Sequence, residues 1–249
     1  MSAIKIQDPE EFRKELKNEI KKTSDKLIEI FLGIYLLFGF FISFYYDTWL
    51  IGFTVGPACI LFYFISKKLF TGGNVHHYVA SAIVAVFMAQ FIYQMHGLFE
   101  MHFFAFIGAT LMITYQNWKT QIPVALVVVV HHAIFAYIQY FYFVNDQVNT
   151  IYFTQLDYMS LETFIYHGVL ASVVFFICGL WSYQMNKRTD QTIENTKNIL
   201  SMAQANESVT QNLEHAIMLS EGMLNDEIQY KEDDLMGEAL SKIRKKLMA

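Results

Sequence analysis

From residue 27 onward the chain is written in long apolar runs separated by short polar breaks, and before and after them it is charged. Six runs approach the roughly 20 residues that a spanning helix needs. They lie at about 27–46, 49–66, 77–95, 99–117, 122–143 and 163–185. The pattern predicts an all-α membrane protein with six transmembrane helices in residues 27–185. Residues 1–26 alternate acid and base (Glu15, Lys17, Glu19, Lys21, Lys22) and predict a solvated N-terminal helix. That charged stretch leaves the first apolar run as an anchor rather than a cleaved leader.

Past residue 185 the pattern changes. Residues 186–249 are polar, with apolar positions at helical spacing. A connecting helix is expected over 186–207. In 208–249, Val209, Leu213, Ala216 and Ile217 form one stripe, and Leu235, Ala239, Leu240, Ile243 and Leu247 another. A break at Glu221-Gly222-Met223-Leu224 separates them. Two helices this short are marginal alone. Burial of Leu213, Ile217, Leu240, Ile243 and Leu247 against a second copy is therefore expected, giving a parallel homodimer.

Composition supports the membrane class. Hydrophobic residues make up 54 % and charged residues 16 %, against about 25 % charged in ordinary globular chains. Nothing points to nucleic acid. Cys59 and Cys178 both sit in apolar runs without metal-clip spacing and read as small core residues. Lys67, Lys68, Lys119, Lys187 and Arg188 all fall in alternate connections, whereas the loop 144–162 carries Asp146, Asp157 and Glu162 and no base. By the positive-inside rule both termini are cytoplasmic.

Histidine placement carries the candidate chemistry. Seven of the eight histidines lie in or beside apolar runs. An ionisable side chain inside a bilayer is costly and marks a functional site by default. Under the topology above, His96, Glu100, His102, His131, His132 and His167 all fall in the outer half of the membrane. Imidazole with carboxylate suits a transition metal. Met95 and Met101, beside His96 and His102, would favour copper first, then zinc or iron. Adjacent His131 and His132 point about 100° apart on a helix, so either one alone ligates or the site lies between them. A bis-histidine haem b is the alternative cofactor. His76 and His77 read as interfacial residues at the other end of the third run, and His215 as a solvated one. No catalytic constellation is evident, so an enzyme is not expected, although a metalloenzyme or a metal carrier remains an alternative.

The ordered set His96-Gly97-Leu98-Phe99-Glu100-Met101-His102-Phe103, Tyr115-Gln116-Asn117-Trp118, His131-His132 and His167-Gly168 resembles a membrane input region of bacterial signalling proteins. That region precedes chemotaxis, diguanylate cyclase and histidine kinase outputs. The resemblance covers roughly 75–185. Residues 208–248 resemble a HAMP domain through Glu221-Gly222-x-Leu224, Asp233-Asp234, Gly237, Ala239-Leu240, Ile243-Arg244 and Leu247. Met236 interrupts the usual acidic-acidic-Leu-Gly order, and the customary starting proline is absent. Together they imply a signal transducer whose HAMP-like dimeric four-helix coiled coil passes a signal to a downstream output domain or protein. No catalytic motif or long methylation coil follows within the chain.

Overall fold

The computed structural model describes residues 9–145, 160–223, 227–230 and 234–248. Among them the chain is helical without strands: α1 Pro9–Tyr46, α2 Trp49–Leu69, α3 Val75–Gln94, α4 Phe103–Ile113, α5 Gln121–Val144, α6 Leu161–Ser220 and α7 Leu235–Met248. Short 3₁₀ turns, Phe99–His102 and Trp118–Thr120, precede α4 and α5. Most of the acidic loop 144–162, with Asp146 and Asp157, lies outside the described residues, as do Leu224 and Asp233.

Five helices (α1, α2, α3, α5 with its leading turn, and α6) are long and apolar enough to cross a membrane. The fourth apolar run is shorter, Phe99–Tyr115. Its 3₁₀ turn and eleven-residue helix together rise only about 24 Å, against about 30 Å of bilayer hydrocarbon. The surface supports an apolar solvent. Leu37, Leu50 and Leu170 stand 68 %, 76 % and 68 % exposed, a pattern that water would not tolerate over so wide an area.

The chain divides into two compact units, 14–189 and 1–13 with 190–249. The boundaries between these units fall inside α1 and α6. The reason is local: nothing between 9 and 46, or between 161 and 220, breaks the helical backbone.

In the larger unit α3 is the hub. Phe87, Met88 and Phe91 are fully buried. Tyr35 of α1 meets Phe87, Phe91 and Phe104 edge-on, with centroids 5.4–5.8 Å apart, the geometry aromatic quadrupoles favour. A buried amide network ties α1 to α3. Gln94 Nε2 donates to the Gly39 carbonyl (3.0 Å), Ser43 Oγ (2.9 Å) and Thr48 Oγ1 (3.0 Å), and its Oε1 accepts from Gln90 (2.9 Å). Such bonds replace water that a bilayer cannot supply. At the far end of α4, Gln121 donates to the Ala109 carbonyl (2.9 Å) and Ser81 Oγ accepts from the Val124 amide (3.1 Å). These bonds seat the start of α5 against α3 and α4.

In the smaller unit Asp234 caps α7. Its Oδ1 accepts from the Gly237 amide (3.0 Å), the third helical position, and both carboxylate oxygens accept from Asn212 of α6 (2.8 Å). A Cβ on Gly237 would come within 2.4 Å of Tyr230 Cβ, so only glycine fits there. Leu240 and Ile228 are buried. Leu213, Ile217, Ile243 and Leu247 stay 47–58 % exposed in the single chain.

Candidate metal centre

α3 ends in a left-handed turn. His96 and Gly97 have φ of 55° and 80°. The Gly97 amide reaches back five residues to the Ile92 carbonyl (2.8 Å), the bond that closes a helix C-terminus of this kind. The chain reverses at once into the 3₁₀ turn that ends on His102. This turn sets His102 opposite the middle of α5 and the first turns of α6.

Three imidazoles converge there. His102, His132 of α5 and His167 of α6 each offer one ring nitrogen, and these atoms lie within 4.8 Å of one another. Ring centroids are 5.2 Å apart for His102–His132, 5.4 Å for His102–His167 and 5.0 Å for His132–His167. Two of the three have a defined tautomer. His102 Nδ1 lies 3.0 Å from the Phe99 carbonyl, and His132 Nδ1 lies 2.7 Å from the Val128 carbonyl. A carbonyl only accepts, so Nδ1 carries the hydrogen in both rings and each Nε2 presents a lone pair. Metal-ligating histidines are oriented in this way. His132 Nε2 is buried and has no hydrogen-bond partner, which fits an atom whose partner is an ion. A tetrahedral ion with bonds of about 2.0–2.1 Å places its ligand nitrogens about 3.3–3.4 Å apart. Ring-tip movements of roughly an ångström would complete the site.

The other expected ligands stand apart from this trio. His131 is buried beside it, 5.3 Å from His132 and 4.6 Å from Phe135 by ring centroid. Both its nitrogens lack a hydrogen-bond partner. His96 lies in the turn with its ring 5.5 Å from Tyr46. Glu100 is exposed, and no carboxylate belongs to the three-imidazole group among the described residues. Met101 is part of the apolar core and Met95 packs against it. The centre is therefore all-imidazole as it stands.

A second polar cluster, toward the lysine-bearing end, gathers His76 and His77, both 4 % exposed. Asp25 of α1 accepts from Tyr115 (2.8 Å) and lies 3.6 Å from His76 Nε2, 3.8 Å from His77 Nε2 and 3.6 Å from Lys67 Nζ. Glu29 pairs with Lys67 at 2.5 Å. Ser66 Oγ gives its hydrogen to the Tyr63 carbonyl (2.8 Å), so His76 Nδ1 donates to Ser66 (2.8 Å). His77 stacks on Tyr115 at 4.1 Å. These two histidines are thus buried members of a polar network. Neither Asp25 nor Glu29 was expected in a cluster. The sequence held one sign of it: Glu29 is a carboxylate inside the first apolar run, and such a residue needs a partner. Lys67 supplies that partner, because helix pairing brings α1 and α2 side by side.

No family model, curated protein or solved structure matches this chain.

Proposed function

We propose that this chain is the membrane input part of a bacterial signal transducer, in which His102, His132 and His167 hold a transition metal ion whose state is passed along α6. The observation that carries this reading is the convergence of three imidazoles from three separate elements, two of them with Nδ1 tied to a carbonyl and Nε2 turned inward. Imidazole donors suit copper, then zinc or iron. The close ring packing supports an ion over haem, because a porphyrin would have to sit between two axial rings that here touch a third. His167 lies two turns into α6, whose helix extends to Ser220. A shift at the ion would act on that helix, and the 208–249 segment would pass it on as a HAMP-like dimeric bundle. A two-state element biased by a ligand is what a switch requires. The fourth apolar run completes six spans, with both termini cytoplasmic. Glu100 and His96, which stand apart from the trio, would serve as further ligands only in another state.

The test is metal content and visible absorption of the purified protein. Near-stoichiometric metal without a Soret band is expected. His102→Ala, His132→Ala or His167→Ala should each lower retention at least about tenfold, the loss typical of disturbing a metal site. His131→Ala should keep the metal. A Soret band would replace the ion with haem, and unchanged metal in all three variants would end the metal reading.

A further inference from the structure

Between α5 and α6 is an apolar cavity of about 510 Å³ that reaches the histidine centre. His132 and His167 line it and His102 does not, so it approaches the ion position past two of the three rings. Its other lining residues are valine, isoleucine, alanine and phenylalanine, with Gly168 and Ser172. The Ser172 hydroxyl is committed, because it donates to the Gly168 carbonyl (2.7 Å). No Asp, Glu, Lys or Arg is among the described lining residues.

The cavity faces the apolar surroundings of the bundle. Ile165, Val169, Val173 and Phe176 on its wall are 48–65 % exposed, and such a surface belongs in acyl chains rather than in water. A tetrahedral ion on three imidazoles keeps one position for an outside ligand. The cavity wall decides what reaches that position. An anion, a sugar or a peptide would give up its water here and regain no hydrogen bond from the wall. An uncharged diatomic molecule has little hydration to lose and dissolves better in hydrocarbon than in water. Such molecules bind electron-rich ions such as Cu(I) and Fe(II), and not Zn(II).

We propose that the open position of the centre takes a diatomic gas, delivered from the lipid through the cavity between α5 and α6. This inference rests on the three-histidine metal reading and names the ligand class of that site. The bound molecule would lie against the helices that carry His132 and His167, and α6 is the one that continues to Ser220.

Infrared spectroscopy of the full chain tests this, with the protein as purified, reduced without oxygen and then exposed to carbon monoxide. A C–O stretching band is expected, absent from His132→Ala and His167→Ala, which lose the ion. Gly168→Leu and Val173→Trp obstruct the cavity at two points six residues apart. A Cβ at Gly168 meets nothing within 4 Å, and Val173 is 48 % exposed, so both variants should fold and keep the metal. Each should slow carbon monoxide binding at least about tenfold, the effect of a modest added barrier. Gly33→Leu, an equally open position on α1, should leave the rate unchanged. Near-stoichiometric metal without a band overturns this proposal and leaves the metal centre standing. A preparation free of metal, or one with a Soret band, overturns both. A binding rate that neither cavity variant alters, or loss of metal from both variants, overturns the proposal as well.

Discussion

At the scale of single residues, neighbours in sequence have separate roles. His131 and His132 are adjacent, yet a helix turns them about 100° apart. His132 faces His102 and His167, and His131 is buried against Phe135. The contrast between their alanine variants is accordingly the sharpest check on the proposed metal centre. Tyr115 makes a separate prediction. Its hydroxyl donates to Asp25 at 2.8 Å, and Asp25 is only 15 % exposed. Tyr115→Phe keeps the stacking on His77 and removes one bond to a charged acceptor, a loss of about 1.5–3 kcal/mol. Thermal unfolding in detergent should show that loss, with metal content unchanged. An unaltered midpoint would mean that Asp25 is satisfied by Lys67 and the histidines without the phenol.

At the scale of elements, the caps and turns decide where helices stop. The left-handed pair His96-Gly97 ends α3, and the 3₁₀ turns on either side of α4 shorten the fourth run. At α7 the deciding group is Asp234. The Gly237 amide, and then the Asn212 side chain, hold its carboxyl below the ordinary carboxylate value. A carboxyl depressed in the folded state stabilises above its unfolded value, near 3.9, and that contribution is lost as pH falls through the lower folded value. Amide protection in the first turn of α7, taken relative to the intrinsic exchange rate at each pH, should therefore be unchanged from pH 7 down to about pH 5 and should fall below about pH 4. Asp234→Ala should show the low protection at every pH. Equal protection in wild type and variant would mean that packing of Leu240, not the cap, holds α7.

For the whole molecule, the smaller unit has an unsolved burial problem in a single chain. Leu213, Ile217, Ile243 and Leu247 are about half exposed in a segment too polar to lie in lipid. A second copy would cover them. Cysteines placed singly over 209–220 should cross-link between chains with helical periodicity, strongest at 209, 213, 216 and 217. A monomer by mass in mild detergent, with no cross-linking, would refute the dimeric relay and leave the histidine centre as a carrier or enzyme site.

The sequence by itself determined the class of this protein, because hydrophobic run length and charge placement are local properties that a bilayer reads directly. The apolar helices, the polar C-terminal pair and the histidine-bearing segments were all legible for that reason. So were the histidines that converge, since a buried imidazole is costly wherever the chain folds. Which three depended on the tertiary structure. Ring directions are set by the turn at Gly97, the start of α5 and the packing of α6, and none of these is a property of the histidines themselves. The same holds for Asp25, His76 and His77. In sequence they are a charge near an apolar run and an interfacial pair. Only the packing of α1, α2 and α3 encloses them together.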